Sequence, residues 1–181
     1  MKIAIVAGGN RRQSTSTLLA RYIQTCIEQA GHEVSFIDLY TVPLPFFSPD
    51  QGASDNAEVL ELQQKVGVAQ AIVLATPDYH GGPSGVLKNA LDHLGFDHFD
   101  GKAVLSASSS GGAVGVSPLQ QLQTIVRNVH GINCPEWISI GGQFRQFDEL
   151  GQPEEETVRT RVQRTVGYFL QMAEKLRPLS S

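Results

Sequence analysis

Two short runs, IAIVA at residues 3–7 and AIVLA at residues 71–75, are apolar at every position. A strand with one face in water alternates polar and apolar side chains, because successive side chains point to opposite faces. A strand that is apolar throughout is covered on both faces, which is the condition inside a parallel sheet. Parallel strands need long crossovers, and these are legible here as amphipathic helical patterns. The spacing predicts strands over Lys2–Ala7, Glu33–Leu39 and Ala71–Ala75, a fourth from Lys102 in KAVLSAS and a fifth from Glu136 in EWISIG. Helices are predicted over Ser14–Ala30, from Asn56 to about Val68, through GVLKNALD to about Leu94, from Ser117 to about Val129, and from Pro153 onward. In the first, Leu18, Leu19, Tyr22, Ile23, Cys26, Ile27 and Ala30 form one stripe and Gly31 is the stop. Ser117-Pro118 reads as N-cap and first helical residue, and Pro153 ahead of three glutamates as a start that suits the helix dipole. Tyr40–Asp55 is a loop broken by Pro43, Pro45 and Pro49. With right-handed crossovers, five β–α units give a doubly wound α/β sheet with helices on both faces.

Composition narrows the class. A chain of 181 residues suits one domain over 1–181, and 41% hydrophobic residues are enough for a core. The formal net charge of −4 is too mild for a nucleic-acid binder, and too mild for a strongly acidic electron carrier that docks on basic partners. Cys26 and Cys134 are far apart and form no CxxC, so neither a zinc site nor a redox dithiol is suggested. Cys26, on the apolar stripe, reads as a small buried residue. The opening MKIAIVA reaches Gly8-Gly9 too soon for a signal peptide, and no run has transmembrane length, so a cytoplasmic protein is expected.

In doubly wound folds the ligand sits outside the carboxyl ends of the strands, near the switch in strand order. Three turns at those ends are rich in small residues: AGGNRRQSTS after the first strand, TPDYHGGPSG after the third and SASSSGGAVGVSP after the fourth. In the order 2-1-3-4-5 these strands are neighbours, and their turns form one rim. The first turn has the makings of an anion site, with Gly8-Gly9 for close backbone approach, Ser14, Thr15 and Ser16 for hydroxyls, Arg11 and Arg12 for charge, and a helix amino terminus behind them. It equally suits a Ser/Thr-rich N-cap with two solvated arginines, and the residues alone leave both open. It is neither a P-loop nor a GxGxxG fingerprint. The second turn suits a flat heterocycle, with Pro77 stiffening the chain, Tyr79 offering a ring face and the N–H groups of Gly81 and Gly82 unobstructed; a capped turn is the plainer alternative. The serines of the third turn lack a GxSxG elbow, which weakens a hydrolase built on Ser109 or Ser110 with His80 or His130.

Together these stretches resemble the NADPH-dependent FMN reductase family, and do so in order along the whole chain. GGNRRQS, Gly8 to Ser14, is similar to a G-S-x-R-x-x-S motif with Gly9 in place of serine. TPDYHGGPSGVLKNALD is similar to T-P-E-Y-N-G followed by a helix with L-K-N-A-L-D, with Asp78 for Glu and His80 for Asn. SSSGGAVGV fits the Gly-rich stretch after the fourth strand. The resemblance implies a flavodoxin-like three-layer sandwich with a five-stranded parallel sheet in order 2-1-3-4-5. It implies bound FMN, its phosphate at Gly9, Arg11, Ser14 and Ser16. The isoalloxazine would lie against Pro77, Tyr79, His80 and Gly81, with Ser109, Gly111 and Gly112 completing the pocket. Gly9 leaves only a backbone N–H where the family has a hydroxyl, and His80 brings a titratable ring where it has an amide. The implied activity takes two electrons from NADPH or NADH through FMN to a quinone, azo compound or free flavin, nearest to the azobenzene, quinone and flavin reductases. The cofactor does the chemistry, so no catalytic side chain is named. A homodimer or homotetramer is implied too. The alternative is a flavodoxin-type carrier without substrate turnover.

Four other motifs call for a reading. DHLGFDH, Asp92 to His98, has metal-ligating residue types but no second cluster, with His93 near a helix end and His98 in a loop, and no metal is assigned. Glu154–Glu156 reads as a helix start. PLPFF, Pro43 to Phe47, suits a substrate lid, an oligomer contact or a packed loop. Trp137 reads as core.

Overall fold

The computed structural model describes residues 1–51 and 55–176. At the centre of its sheet, β1 (Lys2–Ala7) is buried at all but its first residue, and β3 (Ala71–Pro77) and β4 (Ala103–Ser110) are buried at every one. Within this sheet the described strands all pair in parallel. β1 lies between β2 (Glu33–Asp38) and β3, with Ile3 opposite Val34 on one side and Ala71 on the other, and β3 pairs with β4 from Ala71–Ala103 to Pro77–Ser109. The order β2-β1-β3-β4 with an edge beyond β4 is the expected flavodoxin-like one.

The edge differs from expectation. Two short strands share it: β5 (Ile132–Asn133) pairs with Ala103 and Val104, and β6 (Ile138–Gly141) pairs with Ala107 to Ser110. The ladder's lower part ends at the bond from Cys134 N to Val104 O, and the next residue, Pro135, has no N–H to continue it. Glu136 and Trp137 therefore precede the strand. Trp137 is half-buried rather than core, and the described residues of both hydrophobic clusters exclude it.

The pleat divides β1 between the two faces. Ile3, Ile5 and Ala7 meet α1 (Thr15–Gln29) and α6 (Glu156–Leu176) through Leu19, Ile23, Ile27, Val162, Val166 and Phe169. Ala4 and Val6 face the layer of α2 (Ala57–Val68), α3 (Gly85–Asp92) and α5 (Ser117–Asn128) through Leu62, Val66, Leu87, Leu122 and Val126. Each of these side chains removes enough apolar surface from water to stabilise the fold by about 1.5–3 kcal/mol.

Several boundaries move. Ala30 is the exposed C-cap of α1, and Cys26 is half-buried against the core. Ser117 is already helical, Val116 occupies the cap position and Pro118 follows inside the first turn. Pro153 does not open the last helix; it bridges to Phe147, so α6 begins at Glu156. His98 lies in a short helix, α4 (Phe96–Phe99), where its Nδ1 accepts from Gly95 N. The predicted loop 40–55 is described except at residues 52–54. Among the described residues, no helix is long and apolar enough to cross a membrane.

Lys102 joins two layers. Its ammonium donates to the carbonyls of Val66 and Gly67, 2.9 and 2.8 Å away, which satisfies the carboxyl end of α2. Burial pushes its pKa down. Lys102→Met keeps the stem and removes the charged donor, so it should lower the unfolding free energy by about 1–2 kcal/mol in urea denaturation. An unchanged midpoint would show that water caps α2 equally well.

Candidate functional site

The rim is built from residue to residue, starting at Gly8. Its N–H donates to Ala75 O at 2.7 Å as the chain leaves β1. Its carbonyl accepts from Ser84 Oγ at 2.6 Å, and the same oxygen caps α3 by accepting from Leu87 N at 3.2 Å. A Cβ at Gly8 would meet Leu87 Cβ at 2.6 Å, so only glycine fits. At Gly9 a Cβ would overlap Thr17 Oγ1 and stand 2.6 Å from Ser14 Oγ.

Ser14 sits at the N-cap of α1 without capping it, because its Oγ is 2.9 Å from Ser16 Oγ instead. Among the described residues, no N-cap side chain accepts from the first turn of this 15-residue helix. Thr17 Oγ1 is buried with no hydrogen-bond partner. A buried orphan hydroxyl, an uncapped helix amino end and a backbone pressed close at Gly9 form a cradle for an anion. Arg11 and Arg12 are exposed beside it. The anion reading of the first turn therefore gains over the N-cap reading, since the predicted cap bond is absent.

The second turn is a tight hairpin. Tyr79 N donates to Gly82 O at 3.1 Å, and Gly82 N to Tyr79 O at 3.0 Å. His80 and Gly81 have φ of +55° and +79°, the sign pattern of a type I′ turn. Asp78 Oδ1 accepts from Gly81 N at 2.9 Å. The expectation that the Gly81 and Gly82 N–H groups face a ligand is therefore corrected: both are used inside the turn. The hairpin is also fastened from outside, by Tyr79 OH donating to Asn10 Oδ1 and Gln121 Nε2 donating to Gly81 O, each at 2.7 Å. Tyr79 and His80 are exposed, and Pro77 is buried as the last residue of β3.

The third turn leans on the other two. Asp78 N donates to Ser109 O at 2.9 Å, and Ser109 Oγ lies 2.7 Å from Thr15 Oγ1. Ser110 Oγ accepts from Gly112 N at 3.1 Å. Ser108 Oγ donates to Gly115 O, and Gly115 N donates to Ser139 Oγ at 2.8 Å. Ser139 is held in turn by Arg161 Nη2, which donates to its carbonyl at 2.6 Å. Gly111 and Gly112 are exposed, facing solvent on the rim. The hydroxyls of Ser109 and Ser110 meet Thr15 and a backbone N–H rather than a histidine. His130 is engaged elsewhere, stacked on Phe96 at 4.4 Å and 3.6 Å from Asp100.

The three predicted turns thus form one connected rim. Sequence reasoning did not single out Asn10, Thr17, Ser84, Gln121 and Ser139, which tie it together. Asn10, Thr17 and Ser84 lay within or beside quoted motifs, whereas Gln121 and Ser139 carried no local signal. DHLGFDH serves the fold: His93 Nε2 is 2.9 Å from Pro45 O, Lys88 pairs with Asp92 at 2.7 Å, and among the described residues no group of three or more His, Cys, Asp or Glu could hold a metal.

Residues 1–145 match the NADPH-dependent FMN reductase family. The chain is 38% identical over 143 residues to an FMN-dependent NADPH-azoreductase of Staphylococcus aureus, covering 77% of this chain and 76% of that protein. Among solved structures, the flavoenzyme NAD(P)H:(acceptor) oxidoreductase FerB from Paracoccus denitrificans superposes with a TM-score of 0.79 at 22% identity, over 96% of this chain and 97% of that one. The apo form of the NADH:FMN oxidoreductase EmoB gives 0.78 at 21% identity, over 94% and 89%. Those two likenesses bear on the fold; the match over residues 1–145 and the relative at 38% identity bear on kinship. By that kinship the chain belongs to the NADPH-dependent FMN reductase family and is an FMN-dependent NAD(P)H oxidoreductase.

Proposed function

We propose that the protein carries two electrons from NADPH or NADH, through FMN held on the rim, to a quinone or azo acceptor, with free flavin as a further acceptor. The observation that carries the site is the uncapped amino end of α1 with the orphaned Thr17 hydroxyl behind Gly9. In this reading Gly9, Arg11, Ser14 and Ser16 hold the FMN phosphate, joined by Thr17. Pro77, Tyr79, His80 and Gly81 support the isoalloxazine, with Ser109, Gly111 and Gly112 along its other side. FMN, when bound there, would supply the two-electron redox chemistry.

The chain's own residues bind and orient. The α1 dipole and the two arginines neutralise the phosphate, and the hairpin fixes a flat surface through its bonds to Asn10 and Gln121. For a quinone the net reaction consumes NAD(P)H and one proton and yields NAD(P)+ and the hydroquinone; an exposed rim takes that proton from solvent. No side chain need act as acid or base. A single domain over residues 1–181, a cytoplasmic location and a homodimer or homotetramer belong to the same reading.

The deciding experiment is an anaerobic visible spectrum of the purified protein. Flavin bands should appear and bleach on adding NADPH or NADH. Bands that persist with both nucleotides would favour the carrier, and a spectrum still featureless after FMN addition would overturn the reading. Arg11→Ala should raise the FMN dissociation constant about tenfold in a fluorescence titration, the scale of one charge-assisted bond at an exposed position; no change would remove Arg11 from the phosphate site. Gly9→Ser restores the family's residue, yet it should weaken FMN binding and stability by about 1–3 kcal/mol through overpacking against Ser14 and Thr17. Tighter binding in that variant would mean the turn opens to admit the hydroxyl.

A further inference from the structure

PLPFF is the motif that the flavin reading leaves without a role. Phe46 is 87% exposed, an unusual position for a phenyl ring. The loop that carries it is nevertheless fastened. Asn89 Nδ2 donates to Pro45 O and Asn89 Oδ1 accepts from Phe47 N, both at 2.9 Å. His93 Nε2 reaches the same Pro45 carbonyl, and its ring meets Phe47 edge-on at 5.4 Å. The backbone on both sides of Phe46 is therefore held while the ring projects into solvent. A ring left exposed on a clamped backbone is pre-organised for a contact that the free chain does not make.

Phe46 borders a cavity of about 260 Å³ whose other apolar walls include Leu39, Pro43, Leu44 and Val86. That is below the 300–1,000 Å³ or so of pockets for drug-sized ligands, and suits one ring or two fused rings. Asn10 lines it as well, and its Oδ1 is taken by the Tyr79 hydroxyl of the hairpin. Its Nδ2 donates to no protein group among the described residues and remains free for a ligand oxygen or nitrogen. Among the described residues, no charged side chain lines the cavity.

We infer that this cavity is the subsite for the acceptor's aromatic ring, selective for neutral planar rings, with Phe46 and Val86 on the ring faces and Asn10 Nδ2 donating to the reducible carbonyl or azo nitrogen. The inference rests on the flavin reading, because Asn10 joins the cavity to the hairpin assigned to the isoalloxazine. A cavity without a cation discriminates against sulfonated dyes and phosphorylated flavins, whose charge would lose its hydration there without a partner.

The test uses FMN-loaded protein with 1,4-naphthoquinone, 1,2-naphthoquinone-4-sulfonate and ferricyanide as acceptors. Phe46→Ala should raise the KM for 1,4-naphthoquinone about tenfold while leaving the KM for NADPH and the ferricyanide rate unchanged, and Phe46→Tyr should restore it. Equilibrium dialysis of the quinone against the oxidised protein, without nucleotide, should show the same loss of affinity. The sulfonate should bind more weakly than the neutral quinone. An unchanged quinone KM and affinity in Phe46→Ala, with NADPH still bleaching the flavin, would overturn the subsite and leave the reductase reading standing. A fall in light-scattering mass for Phe46→Ala would also overturn it, since a second copy of the chain would then be what covers the ring. A protein that takes up no flavin would overturn both.

Discussion

Gly8 has no side chain, and much of the rim depends on that. Its N–H is drawn onto β3 and its carbonyl onto Ser84, 76 residues further along the chain. Because Ser84 also caps α3, the exit of β1 sets where α3 begins. From α3, Asn89 then holds the Pro45–Phe47 backbone. One close backbone contact is thus carried through a hydroxyl and a helix to a loop that follows β2. The third turn joins the same system through Ser109, which accepts from Asp78 N and lies against Thr15. The Ser84 bonds to Gly8 and Leu87 are buried, where a displaced partner leaves a costly unsatisfied group.

How much of this the sequence discloses depends on whether the cause is local. β1 and β3 are legible because burial on both faces leaves no polar position to hide them. The helices of both layers are legible from their apolar stripes, and the three turns from their small residues. β5 was not, because two residues carry no periodicity, and its pairing is decided by β4 beside it. The start of α6 was misread because Pro153 and three glutamates look like a helix opening, while a bridge to Phe147 keeps Pro153 outside. Trp137 looked like core because the pattern puts it within the fifth strand, and Pro135 displaces that strand toward the carboxyl end. Gly81 and Gly82 suggested open N–H groups, but only the folded hairpin shows that Asp78 and Tyr79 accept them.

The tip of that hairpin shows a residue type governed by backbone rather than side chain. His80 stands where the resembled motif has asparagine, and its φ is +55°. Asparagine and histidine are both enriched among the non-glycine residues that adopt positive φ. The exchange is therefore conservative in the property the turn demands, although the two side chains differ in charge behaviour. At Gly9 the same kind of reasoning runs the other way, because crowding by Ser14 and Thr17 removes the room a side chain would need.

The family match ends at residue 145, yet the rim does not. Arg161, on α6, holds the Ser139 carbonyl, and the Ser139 hydroxyl holds Gly115 at the root of the third turn. At Gly141, a Cβ would run into the carbonyls of Gly112 and Ala113, so β6 lies directly behind that turn. The last helix thus buttresses the third turn by way of Ser139. Sequence drift in α6 reaches the ligand side by way of a strand, so two relatives with identical rim motifs can differ in how firmly the rim closes.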